Sequence, residues 1–208
     1  FLRHLWATDG SVRWDAKQGQ GRVYYASTSR RLVDDVMQLL VRLGVNARIY
    51  RAPKPGYRDC WHLKIQGAEN QLRFLRHAGV NGAKDASARE VIAQLECVAR
   101  RANSDTVPVE VWSEVREAIA RQGLTHREFA AAMGTTFRGS TMWKRAPGRS
   151  RLHRAAAVLG DTELHDLATN DVFWDRIVAI ASIGEQDVYD GTVPGTNNFV
   201  AQGISVHN

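Results

Sequence analysis

His207 and Asn208 stand side by side at the end of the run "VYDGTVPGTNNFVAQGISVHN", Val188 to Asn208. The side-chain amide of an asparagine can attack its own main-chain carbonyl. That attack closes a five-membered succinimide ring and breaks the peptide bond that follows. Unaided, the reaction is slow. A neighbouring imidazole can donate a proton to the departing amine or polarise the carbonyl, and histidine is suited to this near neutral pH. Asp190 and Asn197 lie earlier in the same run. Singly these residues are ordinary, since Asp190-Gly191 makes a turn and Asn197-Asn198 a loop tip. The adjacent His207 and Asn208 are the pair whose chemistry would act on a peptide bond.

At the other end, "LRHLWATDG" (Leu2–Gly10) reads as a short apolar helix stopped by Thr8-Asp9-Gly10. Strands are expected over Ser11–Trp14 and Arg22–Ala26, around the polar Gly19-Gln20-Gly21. A helix from Ser29 to Leu43 carries Leu32, Val36, Leu39, Leu40 and Leu43 on one face. Ser27 or Thr28 can cap its start, and Gly44 stops it. Two more strands, Asn46–Arg51 and Cys60–Gln66, flank the Pro53-Lys54-Pro55-Gly56 loop. Helices follow over Glu69–Ala78 and Asp85–Arg101. The order is helix, two strands, helix, two strands, helix, helix.

A helical middle follows, from Asp105 to about Ala168. Thr125 caps one helix with Glu128 reaching back, and Gly134 ends it. A second helix over Phe137–Arg145, weakened by Gly139, would present Arg138, Lys144 and Arg145 in a helix-turn-helix cadence. Six Arg and Lys between Arg138 and Arg154 suit contact with phosphates. The rest, 169–208, reads as β structure, with apolar runs at Val172-Phe173-Trp174, Ile177–Ile180 and Phe199-Val200 broken by Gly184, Pro194-Gly195 and Gly203. The expected regions are therefore 1–104, 105–168 and 169–208.

Bulk properties narrow the function. The net charge of +6 fits a nucleic-acid partner and equally well a soluble protein with a mild positive bias. No apolar run is long enough to span a membrane. The two cysteines, Cys60 and Cys97, form no CxxC pair. This argues against a disulfide scaffold or structural zinc, and reads as reduced thiols in a cytoplasmic protein. Phe1-Leu2-Arg3-His4 opens no signal peptide, and a start without Met suggests an artificial N-terminus.

Leu2–Gly10 resembles the LAGLIDADG motif of homing endonucleases, and Val188–Asn208 resembles the final splicing motifs of inteins. With "NDVFWDRIVAI" between them, essentially the whole chain resembles the C-terminal part of a large endonuclease-bearing intein. The general likeness is to inteins lodged in replicative DNA helicases. The resemblance implies a mixed α+β fold: an αββαββα LAGLIDADG half-domain, a helix-turn-helix-like insert, and the C-terminal strands of a Hint splicing domain. It makes Asn208 the cyclising residue, His207 its assistant, and Asp190 the aspartate that couples the N-terminal acyl shift to later steps. Asn197 stands where many relatives carry histidine. It can hydrogen-bond a substrate carbonyl but not shuttle a proton, which raises the burden on Asp190 and His207. A chain that stops at Asn208 is then what remains once a downstream flank has gone.

For the endonuclease the resemblance makes Asp9 the Mg²⁺ ligand over a scissile phosphate. Lys84 falls where relatives place a catalytic basic residue. Gly10 lets the chain turn into the first DNA-facing strand. Polar and basic residues along the strands and loops could meet phosphates or base edges of double-stranded DNA, among them Arg13, Lys17, Arg22, Arg48, Arg51 and Lys64. Arg3 and His4 depart from the small residues usual where twin motif helices meet, and only one motif copy is present. Further partners implied are the missing N-terminal intein segment and the host-protein flanks. The isolated chain is expected neither to splice nor to cut DNA. The rival reading is a DNA-binding module without catalysis, a degenerate endonuclease or a helix-turn-helix regulator.

Overall fold

The computed structural model describes residues 1–97, 105–201 and 204–207. The chain divides into two compact units, Phe1–Arg100 with Ala181–Asn208, and Arg101–Ile180.

In the first unit the elements follow the expected order: α1 (Leu2–Thr8), β1 (Gly10–Asp15), β2 (Gln20–Ser27), α2 (Arg30–Arg42), β3 (Ala47–Ala52), β4 (Cys60–Ile65), α3 (Ala68–His77) and α4 (Asp85–Cys97). The continuation of α4 expected as far as Arg101 lies outside the described residues. A single 3₁₀ turn, Gly82–Lys84, precedes α4. The four strands form an antiparallel sheet in the order β1-β2-β4-β3.

Because side chains alternate across a strand, the pairing sorts the sheet into two faces. Val12, Val23, Tyr25, Leu63, Ile65 and Ala47 are buried on one face. They share a core with Val33, Val36 and Leu40 of α2, Leu72, Phe74 and Leu75 of α3, and Ala88, Val91 and Leu95 of α4. The cap of α2 is Ser29, whose hydroxyl accepts from the Leu32 amide at 3.2 Å, and not Ser27 or Thr28. Ser29 has extended backbone, as an N-cap needs. The apolar face of α2 is turned towards Val33, while Leu43 ends the helix and is exposed. Two buried polar side chains seat α3 on the sheet. Gln71 Nε2 donates to the Gly21 and Ile65 carbonyls, each at 3.0 Å, and Asn70 Oδ1 accepts from the Asn46 amide at 3.1 Å.

The second unit is helical: α5 (Val111–Arg121), α6 (His126–Ala132), α7 (Arg149–Leu159) and α8 (Thr162–Thr169). The capping box at the start of α6 is present in full, with Thr125 Oγ1 accepting from the Glu128 amide and Glu128 Oε2 from the Thr125 amide. The helix expected over Phe137–Arg145 does not form. Only a 3₁₀ turn, Gly139–Trp143, stands there. Gly139 has φ of +65°, a left-handed conformation that interrupts a right-handed helix. Trp112, Phe129, Leu152 and Leu164 centre the core. The Trp112 indole donates to the Arg145 carbonyl at 2.8 Å, and Arg151 lies over its ring.

Among the described residues of the C-terminal stretch, the strands are β5 (Asn198–Ala201) and β6 (Ile204–His207), an antiparallel pair. The apolar runs at 172–174 and 177–180 are neither helix nor strand, and Ile177, Val178 and Ile180 are largely exposed. A strand needs a neighbour for its amides and carbonyls, and no described segment pairs with these runs. No helix among the described residues is long and apolar enough to cross a membrane.

Candidate functional site

Three groups of candidate residues take their places in this frame. The first lies where α1 meets β1. Trp6 is fully buried, with its ring centroid 4.5 Å from Phe74 and 5.7 Å from Tyr25. Gly10 lies against it so closely that a Cβ there would stand 2.5 Å from the Trp6 ring. Only glycine fits, and the chain enters β1 directly behind the tryptophan. Asp9 occupies the C-cap of α1 and is exposed. Its carboxylate has no hydrogen-bond or ion-pair partner among the described residues.

Lys84 reaches this turn from far along the chain. Its Nζ donates to the carbonyls of Trp6 at 3.1 Å, Thr8 at 2.8 Å and Gly10 at 2.6 Å. The Trp6 and Thr8 carbonyls are ones that the end of a helix leaves without amide partners, a cation there also suits the helix dipole, and the Gly10 carbonyl adds the first residue of β1. Lys84 thereby holds the backbone on either side of Asp9. As a metal ligand Asp9 offers one free carboxylate, a hard oxygen donor of the kind Mg²⁺ takes while keeping several waters. No cluster of three His, Cys, Asp or Glu suited to a metal occurs among the described residues. Asp9 therefore fits as one ligand and does not by itself make a closed site.

The second group is the face of the sheet turned away from the core. Arg13 pairs across β1 and β2 with Arg22, and Tyr24, Lys64 and Arg48 line up across β2, β4 and β3. Next to this row, Tyr24 stacks on His62 at 5.3 Å, and Lys64 lies 4.8 Å from the Tyr50 ring centre. Burial and the Lys64 charge push the His62 imidazole below its ordinary value of 6.5. Arg13, Arg48 and Lys64 have no ion-pair partner among the described residues. Arg22 differs, because it is bound to Asp15 at 3.0 Å and to Gln18. That guanidinium holds the Asp15 carboxyl below its usual range. Arg51 falls on the opposite parity of β3 and pairs with Asp59 at 2.7 Å. Lys17 is exposed in the turn between β1 and β2. In the helical unit Arg138, Lys144 and Arg145 are exposed, but they flank a 3₁₀ turn and do not line one helix face.

The third group is the C-terminal hairpin. Asn198 sits opposite His207 in the β5–β6 register, so the backbone of His207 lies beside the Asn197-Asn198 pair. Asn197 has a φ of +51°, the left-handed region that asparagine tolerates better than most residues. Asp190 is exposed, and its Oδ1 accepts from the Gly191 amide at 2.8 Å. A Cβ on Gly191 would lie 3.8 Å from the Phe199 ring, so the Asp190 turn approaches β5. Asn208 lies outside the described residues.

Sequence reasoning missed Gln71, Asn70 and Arg149. Arg149 binds the Asp105 carboxylate at 2.8 Å, the Leu167 carbonyl at 3.0 Å and the Asn170 side chain at 3.1 Å. Each binds at least one group remote in sequence, Gly21 for Gln71, Asn46 for Asn70 and Asp105 for Arg149, and no local spacing announces those partners.

Residues 1–79 match the family model of the LAGLIDADG-like domain. The four-stranded sheet, α1 to α3 and the Asp9 turn all lie within that stretch. The whole chain is similar to segments of two proteins named replicative DNA helicase DnaB. It is 42% identical to that of Rhodothermus marinus, of which it covers 22%, and 40% identical to that of a Nostoc species, of which it covers 24%. It is also 26% identical over its full length to a segment of Protein RecA of Mycobacterium tuberculosis, covering 29% of that protein. The chain thus spans about a quarter of the length of these relatives.

Proposed function

We propose that this chain is the C-terminal part of an intein that carries a LAGLIDADG homing endonuclease. One observation carries the reading. The same stretch of sequence, over its full length, is similar to part of a replicative DNA helicase and part of Protein RecA. A segment shared by proteins with different names, and making up a minor part of each, behaves as a mobile insert. The LAGLIDADG-like match at residues 1–79 supplies the endonuclease class.

In this reading 1–104 is the endonuclease half-domain, 105–168 a DNA-binding insert, and 169–208 the C-terminal part of the splicing domain. Asn208 cyclises: its amide nitrogen bonds to its own carbonyl carbon, the bond to the next residue breaks, and the released amine takes a proton. His207 donates or relays that proton, and Asp190 couples the earlier acyl shift. Asn197 hydrogen-bonds a carbonyl near the reacting bond. Asp9 would be one ligand of a Mg²⁺ that polarises the scissile phosphate and activates water. Lys84 positions Asp9. Arg13, Arg48 and Lys64, with Lys17, Arg22 and Arg51 around them and Arg138, Lys144 and Arg145 on the insert, meet the DNA backbone. A second motif helix, a missing N-terminal splicing segment and the host flanks complete the machine in the cytoplasm.

The test is to extend the chain beyond Asn208 with a short peptide starting with Ser or Cys and to add an N-terminal splicing segment in trans. The expected result is release of the peptide and a succinimide end lighter by one water, by mass spectrometry, abolished by Asn208→Ala. An intact junction in an assembled complex would sink the splicing reading. Metal-independent DNA binding that survives Asp9→Asn, with no cleavage by a complemented form, would favour a DNA-binding module instead. The single carboxylate at the α1 end is the observation on that side.

A further inference from the structure

His153 on α7 and His165 on α8 lie side by side as a tilted pair, with ring centroids 5.2 Å apart and planes inclined by 51°. Neither ring is needed for the core, because both are exposed. Their backbones are fixed all the same. Each follows a fully buried leucine, Leu152 and Leu164. The connection between the two helices is only Gly160-Asp161, and Asp161 is itself pinned: Oδ1 accepts from the Leu164 amide at 3.0 Å, and Oδ2 pairs with Arg121 at 3.3 Å.

The spacing has a chemical meaning. With a metal–nitrogen bond of about 2.1 Å and tetrahedral angles, two imidazoles sharing one cation have centroids about 5 Å apart. The pair therefore stands at chelating distance before any ion arrives. A third residue points the same way. Asp166 Oδ1 lies 3.5 Å from Nδ1 of His165. A carboxylate this near one ring nitrogen can draw in to accept a hydrogen bond from it, which in carboxylate–histidine–metal arrangements leaves the other nitrogen for the metal.

We propose that His153 and His165 form a two-histidine site for a divalent transition cation, zinc being the probe of choice, with Asp166 orienting His165 and water completing the coordination. Imidazole nitrogen suits zinc, nickel and copper(II) and does not suit Mg²⁺. The site is therefore separate in chemistry from the Asp9 carboxylate. Its effect is to staple α7 to α8 and stabilise the helical unit, since an ion bound only by the folded state favours that state. The inference does not depend on the splicing or endonuclease reading.

The experiment uses the full chain at a pH of about 7.5, because metal binding competes with protons for the ring nitrogens. Zinc is titrated while the histidine ring protons are followed by NMR and unfolding by calorimetry. The expected result is that the His153 and His165 signals move together and saturate at one equivalent while those of His4, His62, His77 and His126 stay in place. The transition of the helical unit moves to higher temperature. His153→Gln and His165→Gln each lower zinc affinity by about 100-fold, the loss expected when one of two linked ligands is removed. Asp166→Asn lowers it by about tenfold and leaves the stoichiometry unchanged. The proposal is overturned if zinc moves neither ring, if either glutamine variant keeps wild-type affinity, or if Mg²⁺ produces the same response. The wild-type NMR titration decides the matter even where a variant fails to fold.

Discussion

The ammonium of Lys84 stands 2.8 Å from the Thr8 carbonyl and 2.6 Å from that of Gly10, so the residue between them, Asp9, is carried on a backbone gripped from both sides. The fixing of this turn comes from main-chain contacts, and the Asp9 carboxylate itself has no partner among the described residues.

Replacing Lys84 with Met removes three charge-assisted hydrogen bonds and leaves the end of α1 with unpaired carbonyls. A loss of about 1–3 kcal/mol is expected, read as a lower urea midpoint. Arg in the same place restores little, because a planar guanidinium cannot converge on three carbonyls as an ammonium does. Full recovery of stability with Arg would show that charge alone, and not the three-way grip, matters.

Gly10→Ala puts a methyl 2.5 Å from the Trp6 ring and 2.6 Å from its Cα. Either the indole or the strand must move, and overpacking of this kind costs about 2–3 kcal/mol. Thermal unfolding should show a clear drop, with a change in Trp fluorescence. An unchanged melting temperature would mean that the helix–strand corner is softer than its packing implies.

On the sheet face, Arg13→Ala, Arg48→Ala and Lys64→Ala should each weaken binding to duplex DNA and reduce its salt dependence by about one ion. Arg51→Ala should do neither, because Arg51 is paired with Asp59 and lies on the other parity of its strand. Fluorescence anisotropy across a salt series separates the two cases. Equal effects from all four would remove the distinction between the faces.

His62 gives the face a dependence on pH. Its imidazole lies below 6.5, chiefly through burial and then through Lys64, so the folded chain takes up this proton less readily than the unfolded one. Its contribution to stability is complete above about 6.5 and is lost as pH falls through the lower folded value. Stability measured from neutral towards acidic pH should fall for the wild type and fall less for His62→Gln. Protonation adds a positive charge beside Lys64, so DNA affinity should rise over the same window in the wild type alone.

Local signals in the sequence were strong where one rule acted alone. The Thr125–Glu128 box and the order of strands and helices up to α4 follow from caps, periodicity and turn residues. Where two rules competed, the expectation failed. Arg138–Arg145 has basic helical spacing, yet Gly139 takes a left-handed turn and leaves only a 3₁₀ segment. The alternation at 172–180 reads as strand, but strand is a property of a pair, and no described segment supplies the partner. The grip of Lys84 on α1 could be anticipated as proximity but not as three carbonyl bonds, since those depend on how 70-odd intervening residues return the chain, between Gly10 and Lys84.

Arg149 ties Asp105 at the start of the helical unit to Leu167 and Asn170 at its end, and the Asp105 carbonyl accepts from the Arg149 amide as well. The polypeptide thus enters and leaves this unit through a closed neck. A cassette whose two ends already meet can be grafted into a loop of another fold, or cut out of it, without stretching the host chain, because little loop-closure entropy changes hands.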